Sequence, residues 1–237
     1  MNRIFVCGDT HGMRDVKKLK ILCNTENLDF GDYVIICGDA GIVWSDELTK
    51  THIEFYESLG VNILFVDGNH ENFDKLKHYP METWCGGLTH KISTHIRFLM
   101  RGQIFNILGR RILTIGGANS HDREYRVNHV SWWWEEAISD YDIELALKNL
   151  AKVNNNVDYI ITHTPCGDFA NKLYQLFTQC GERFPYYLSE KLNRNDSGLK
   201  LDAIAKIAKY KKWFCGHWHI DEQIDNYVVL YENIVEI

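Results

Sequence analysis

Nowhere in this 237-residue chain is there a run of the roughly 18 apolar residues that cross a bilayer, so no membrane span is expected. The first residues enter a short strand-like run and then reach Asp9, too short an apolar stretch for a signal peptide, and a cytoplasmic location is expected. The seven cysteines are an odd number with no Cys-x-x-Cys pair, which argues against a disulfide framework and against a zinc knuckle. Cys7, Cys37 and Cys215 each end an apolar run before a glycine and read as small core residues. Basic residues are not in excess: 26 Lys and Arg stand against 32 Asp and Glu, and a net charge of −6 excludes a broad cationic face for duplex nucleic acid. A local basic strip stays open. There is no Gly-x-x-x-x-Gly-Lys loop for a nucleoside triphosphate and no His-Glu-x-x-His zinc helix. Internal repeats, low-complexity segments and linkers are also missing, so residues 1–237 read as a single domain.

The first half alternates two periodicities. Residues 3–7, 33–37 and 62–66 are short runs rich in Ile, Val and Phe, the pattern of buried strands. Val16, Leu19, Leu22 and Cys23 recur at helical spacing between the first two. Ile53, Phe55, Tyr56 and Leu59 do so between the second and third, with Ser45 or Asp46 as the cap. Strand, helix, strand, helix in this order implies parallel pairing with right-handed crossovers. Further strands are expected at 96–100, 104–107, 111–115 and 158–162. Residues 213–215, 222–224 and 227–231 read as a small meander turning at Asp225-Asn226. Leu201, Ile204, Ile207 and Ala208 mark one more helix. Residues 181–198 have poor periodicity and read as an irregular loop over the site or a surface excursion.

Five motifs sit at or after the ends of these strands: Gly8-Asp9-Thr10-His11-Gly12, Gly38-Asp39, Gly68-Asn69-His70-Glu71, Thr162-His163 and Gly216-His217-Trp218-His219. In open α/β sheets, ligands bind at the carboxyl ends of parallel strands. Each motif alone is ordinary; a Gly-Asp pair is usually a turn, and His217 and His219 alternating on a strand have many structural explanations. Together they supply hard oxygen donors mixed with imidazoles, a set suited to first-row divalent ions.

That order of motifs resembles the signature of the calcineurin-like metallophosphoesterases, from Gly8 to His219. The resemblance implies a four-layer α/β/β/α sandwich of two mixed sheets flanked by helices. It further implies two divalent ions, Mn2+ first and Fe, Zn, Ni or Mg as alternatives. Asp9, His11 and His219 would hold one ion, Asn69, His163 and His217 the other, and Asp39 would bridge them. His70 would stabilise or protonate the leaving oxygen of a phosphate ester attacked by water activated between the ions. The implied substrate is a phosphomonoester or phosphodiester of a small molecule, nucleotide or nucleic-acid end. The alternative is a non-catalytic scaffold on the same fold, although such relatives tend to lose metal donors and this chain retains all seven.

One departure matters. In the Ser/Thr phosphatase branch the second motif continues into Val-Asp-Arg-Gly, whereas here Asp39 is followed by Ala40-Gly41-Ile42-Val43-Trp44. A replacement arginine is expected from residues 116–126, where Arg123 and Arg126 lie three apart and are candidates to grip phosphate. Beyond them, Ser131 followed by Trp132-Trp133-Trp134-Glu135-Glu136 reads as a capped helix start. Arg183 and Arg194 are the next candidates.

Overall fold

Strict alternation of apolar side chains in the central strands builds this fold. In β1 (Ile4–Cys7), β2 (Tyr33–Ile36) and β3 (Asn62–Phe65), Ile4, Val6, Ile35 and Leu64 enter one apolar layer while Phe5, Cys7, Val34, Ile36, Ile63 and Phe65 enter another. A strand covered on both faces must be apolar on both. The computed structural model describes residues 2–179, 186–193 and 195–237.

Two mixed sheets result. The first adds β4 (Met81–Trp84), β5 (Gly87–Lys91), β6 (Ile96–Leu99) and the last strand, β13 (Ile234–Glu236), in the order β13-β1-β2-β3-β6-β5-β4. The second comprises β7 (Gln103–Ile107), β8 (Arg110–Ile115), β9 (Tyr159–Thr162), β10 (Lys212–Cys215), β11 (Glu222–Ile224) and β12 (Tyr227–Val229), in the order β11-β12-β10-β9-β8-β7. Ile112, Ile161, Phe214 and Val228 of the second sheet meet Ile4, Val6, Ile35 and Leu64 of the first between the sheets. Leu113, Ile115, Ile160 and Trp213 face the other way.

Helices cover both outer faces. α1 (Lys17–Glu26) and α2 (Asp46–Glu57) pack Leu19, Cys23 and Tyr56 on the first sheet, and α3 (Phe73–Leu76) adds Leu76. α4 (Asp140–Lys152), α5 (Gly167–Gln179), α6 (Tyr186–Asn193) and α7 (Asp196–Ala205) cover the second with Ile143, Phe169, Leu188 and Leu201. Three apolar layers between four layers of backbone make the expected α/β/β/α sandwich. Among the described residues, no helix is long and apolar enough to cross a membrane.

The structure corrects several local expectations. The carboxyl-terminal strands are no meander, because β10 pairs with β12 in parallel and β11 lies outside β12. Ser131 caps no helix: it is followed by a 3-10 turn at Trp134–Glu136, and the real N-cap is Ser139, whose Oγ accepts from Asp142 N at 3.2 Å while Asp142 closes a capping box on α4. Ser45 does cap α2. Within 181–198, residues 186–193 are the helix α6, and Arg183 and Arg194 lie outside the described residues.

Candidate metal centre and active site

The seven predicted donor residues converge at the carboxyl ends of five strands, β1, β2 and β3 from one sheet and β9 and β10 from the other. Donor atoms of Asp9, His11, Asp39 and His219 all lie within 4.8 Å of one another, and so do those of Asp39, His163 and His217. Asp39 belongs to both groups. Its Oδ2 lies 3.3 Å from His11 Nε2 and its Oδ1 3.3 Å from His163 Nε2, so one oxygen faces each group. Asn69 joins the second, with Oδ1 3.2 Å from His163 Nε2.

The backbone is bent to achieve this. His11, Asp39, His217 and His219 have φ of 43°, 49°, 65° and 52°, left-handed values that non-glycine residues adopt at a cost and that cluster at functional sites. His217 and His219 therefore leave β10 in a loop and do not alternate on a strand. Close approach also dictates two glycines. A Cβ at Gly68 would stand 2.0 Å from Asp39 Oδ1, and one at Gly38 2.4 Å from His163 Nδ1.

The tautomers indicate what the donors face. His163 commits Nδ1–H to Cys37 O at 2.7 Å, which leaves Nε2 bare in the neutral ring, yet Nε2 looks at the Asp39 and Asn69 oxygens. His11 commits Nδ1 to Asp15 Oδ2 at 2.7 Å and likewise aims Nε2 at Asp39. A lone pair facing carboxylate and amide oxygens needs a positive charge between them. Burial opposes charge on these rings, but Asp39 and Asp9 raise His11 to about 9 and raise His163 as well. Burial works against Asp39 too, and the charges of His163 and His70 with hydrogen bonds from His11 and His163 still hold its carboxyl well below the usual range. His217 goes the other way, held neutral by burial and by the charge of Lys191. Imidazoles beside carboxylate and amide oxygens form a donor set that fits divalent ions once the ring protons are displaced.

The profile of the calcineurin-like phosphoesterases matches residues 2–221. This chain belongs to that family. Members of the family carry a two-metal centre, and the candidate donors for one are present here. Two solved crystal structures resemble this calcineurin-like phosphoesterase. One aligns at TM-score 0.53 and 13% identity, covering 96% of this chain and 89% of its own. The other, the Thermus thermophilus protein TT1561, aligns at TM-score 0.50 and 10% identity, covering 99% of this chain and 97% of its own. At such identities the likeness shows the fold alone. No curated protein sequence matches the chain.

Around the donors of this phosphoesterase stand residues whose roles sequence reasoning missed. Glu71, fully buried, accepts from Ala40 N at 2.8 Å and Gly41 N at 3.3 Å and so fixes the loop after Asp39; burial and the Asp39 charge push its carboxyl well above the usual range. Lys18, buried on α1, ties Asp9 O at 2.7 Å to Tyr231 O, and the Tyr231 ring stacks on His219 at 4.7 Å. Lys191 of α6 donates to His217 O. Two signals were available: Glu71 stands within Gly68-Asn69-His70-Glu71, and Asp15 is an acid four residues after His11. The lysines carried none, because their contacts span 9 to 213 residues.

His70 lies at the rim, its ring 5.8 Å from that of His11 and its backbone N donating to Asp39 Oδ1 at 2.8 Å. Burial lowers its imidazole, and the charge of Arg126 acts in the same direction. The two arginines differ in their partners and exposure. Arg126 makes a two-pronged pair with Asp122, at 2.7 Å on each side, and donates to Ser131 O at 3.1 Å. Arg123, in a 3-10 turn at Arg123–Tyr125, is exposed. Of the three tryptophans, Trp133 is buried and bonded to Asp74, while Trp134 is 61% exposed.

Proposed function

We propose that this protein hydrolyses phosphomonoesters or phosphodiesters at a centre of two divalent ions, Mn2+ in the first instance, and that residues 1–237 form one domain for that purpose. The observation that carries this reading is Asp39, whose two oxygens each face a separate group of imidazole and carboxylate donors. In this reading Asp9, His11 and His219 hold one ion, Asn69, His163 and His217 hold the other, and Asp39 is shared. When bound there, the ions would polarise the phosphoryl oxygens and activate the attacking water.

The chain's own residues then have distinct tasks. Asp39 compensates charge between the two groups, with Glu71 fixing its loop. Asn69 contributes a neutral oxygen and so leaves the site net positive toward a phosphate. His70 presents its ring N–H to the leaving oxygen of the ester. Arg126 is the phosphate contact, since Asp122 holds its guanidinium oriented and its charge is felt at His70. Arg123 is exposed for a flanking phosphate.

The test is turnover on a panel of mono- and diesters after loading with manganese, before and after chelation. Activity should vanish with the metal and return with it. Turnover retained by protein shown metal-free by elemental analysis rules the reading out, and so does a fully loaded protein idle on every ester.

A further inference from the structure

The second donor group contains an ambiguity that chemistry must resolve. The two ends of the Asn69 amide are nearly identical in shape, yet only the oxygen can hold a cation, and an NH2 turned inward would repel one. We infer that Ser120 and Glu136 are positioning residues that fix which end of Asn69 faces the centre, an inference that rests on Asn69 being a ligand as proposed above.

Asn69 Nδ2 lies 3.1 Å from Ser120 Oγ, and Ser120 Oγ lies 2.6 Å from Glu136 Oε2. The other carboxylate oxygen, Oε1, accepts from Ser120 N at 2.6 Å. Burial raises the Glu136 carboxyl, the bonds from Ser120 Oγ and N oppose that rise, and the proton order that follows is that of the carboxylate. A carboxylate only accepts, and the single Ser120 hydroxyl proton therefore goes to Glu136. What Ser120 Oγ has left for Asn69 is a lone pair, which only the NH2 end can meet. The oxygen end is thereby turned toward His163 Nε2, 3.2 Å away. All three residues are 5% exposed or less, so water cannot easily replace a partner.

Glu136 is held in turn. Its backbone O accepts from Ala118 N at 3.0 Å and from the Arg101 guanidinium at 3.1 Å, which locks the 3-10 turn at Trp134–Glu136 against the loop after β8. Residues 131–136, where the sequence pattern predicts a helix start, thus form the outer support of a metal donor.

The test is calorimetric titration of metal-stripped protein with manganese chloride, with ion content confirmed by elemental analysis and folding by thermal unfolding. Wild type should take up two ions. Ser120→Ala should bind one of them about 10–100-fold more weakly, the usual effect of losing a group that orients a ligand, with the other site serving as an internal control of folding. Glu136→Gln is nearly isosteric but sets a donor beside Ser120. If its carbonyl takes Ser120 N–H, its NH2 meets Oγ, the hydroxyl turns to Asn69 and the amide flips its nitrogen inward. It should lose at least as much affinity as Ser120→Ala. In an Asn69→Asp background both ends are oxygen, and adding Ser120→Ala should change affinity by less than about threefold if the coupling is through the amide.

Variants that match wild-type affinity and lose only thermal stability overturn the inference, as does an undiminished Ser120 effect in the Asn69→Asp background. Wild type taking up fewer than two ions overturns the two-ion reading and this inference together.

Discussion

Arg101→Met should be among the most destabilising single substitutions that touch no donor of the centre. Arg101 directs Nε, at 2.8 Å, and Nη2 to Asp67 Oδ2, and Nη1 to Asp142 Oδ2 at 3.1 Å. It also donates to the carbonyls of Glu135 and Ala137, each at 2.8 Å, and of Glu136 at 3.1 Å. The Asp67 side chain is 1% exposed and that of Arg101 12%, so solvent screens the pair little. Breaking a buried pair from one side leaves an uncompensated charge and costs about 3–5 kcal/mol. At roughly 2–4 °C per kcal/mol for a chain of this size, the midpoint should fall by about 6–20 °C in a thermal scan. Asp67→Asn in the same molecule removes the stranded charge, so the double variant should be more stable than the sum of the singles by about 1–3 kcal/mol in urea unfolding. A midpoint lowered by less than about 2 °C, or strictly additive singles, would refute the reasoning, since a large fall and non-additivity both follow from an Asp67 that needs its partner.

At the centre, His70→Ala should keep both ions by elemental analysis yet lose about 10²–10⁴ in turnover, the span typical of a group that acts on the proton of a reacting oxygen. Asp39→Asn should lower occupancy at both positions, and unchanged ion content in that variant would end the bridging assignment. Arg126→Ala should lower kcat/KM by about 10–100-fold, in line with a charge-assisted hydrogen bond to phosphate. If instead only the melting temperature shifts, the Asp122–Arg126 pair is structural; Arg123→Ala, measured beside it, should have the smaller kinetic effect.

The buried strands of the first half and the candidate donors were open to sequence reading because both signals are local. Ile4, Val6, Val34 and Ile36 declare strands by being apolar on both faces, and the glycine-led motifs after them follow from turns that leave little room. What escaped was local in another way. β4 and β5 form an edge hairpin in which Met81 and Thr83 are exposed, so the apolar signal is weak. α4 begins at Ser139 with Asp at the third position of its capping box, a weaker signature than glutamate, and the three tryptophans drew the expected helix upstream.

The sequence alone determined that five strand ends would carry two carboxylates, one amide and four ring donors in a fixed order. It could not assign one Asp39 oxygen to each group, nor choose the end of the Asn69 amide that looks inward. Those choices, and the pairing of Arg126 with Asp122 in preference to Arg123, belong to the tertiary structure. The Asp39 contacts to His163 and the Asn69 contact to Ser120 span sheets and loops far apart in the chain. A hydrogen bond between such residues exists only once both are packed, because its geometry is set by every layer between them.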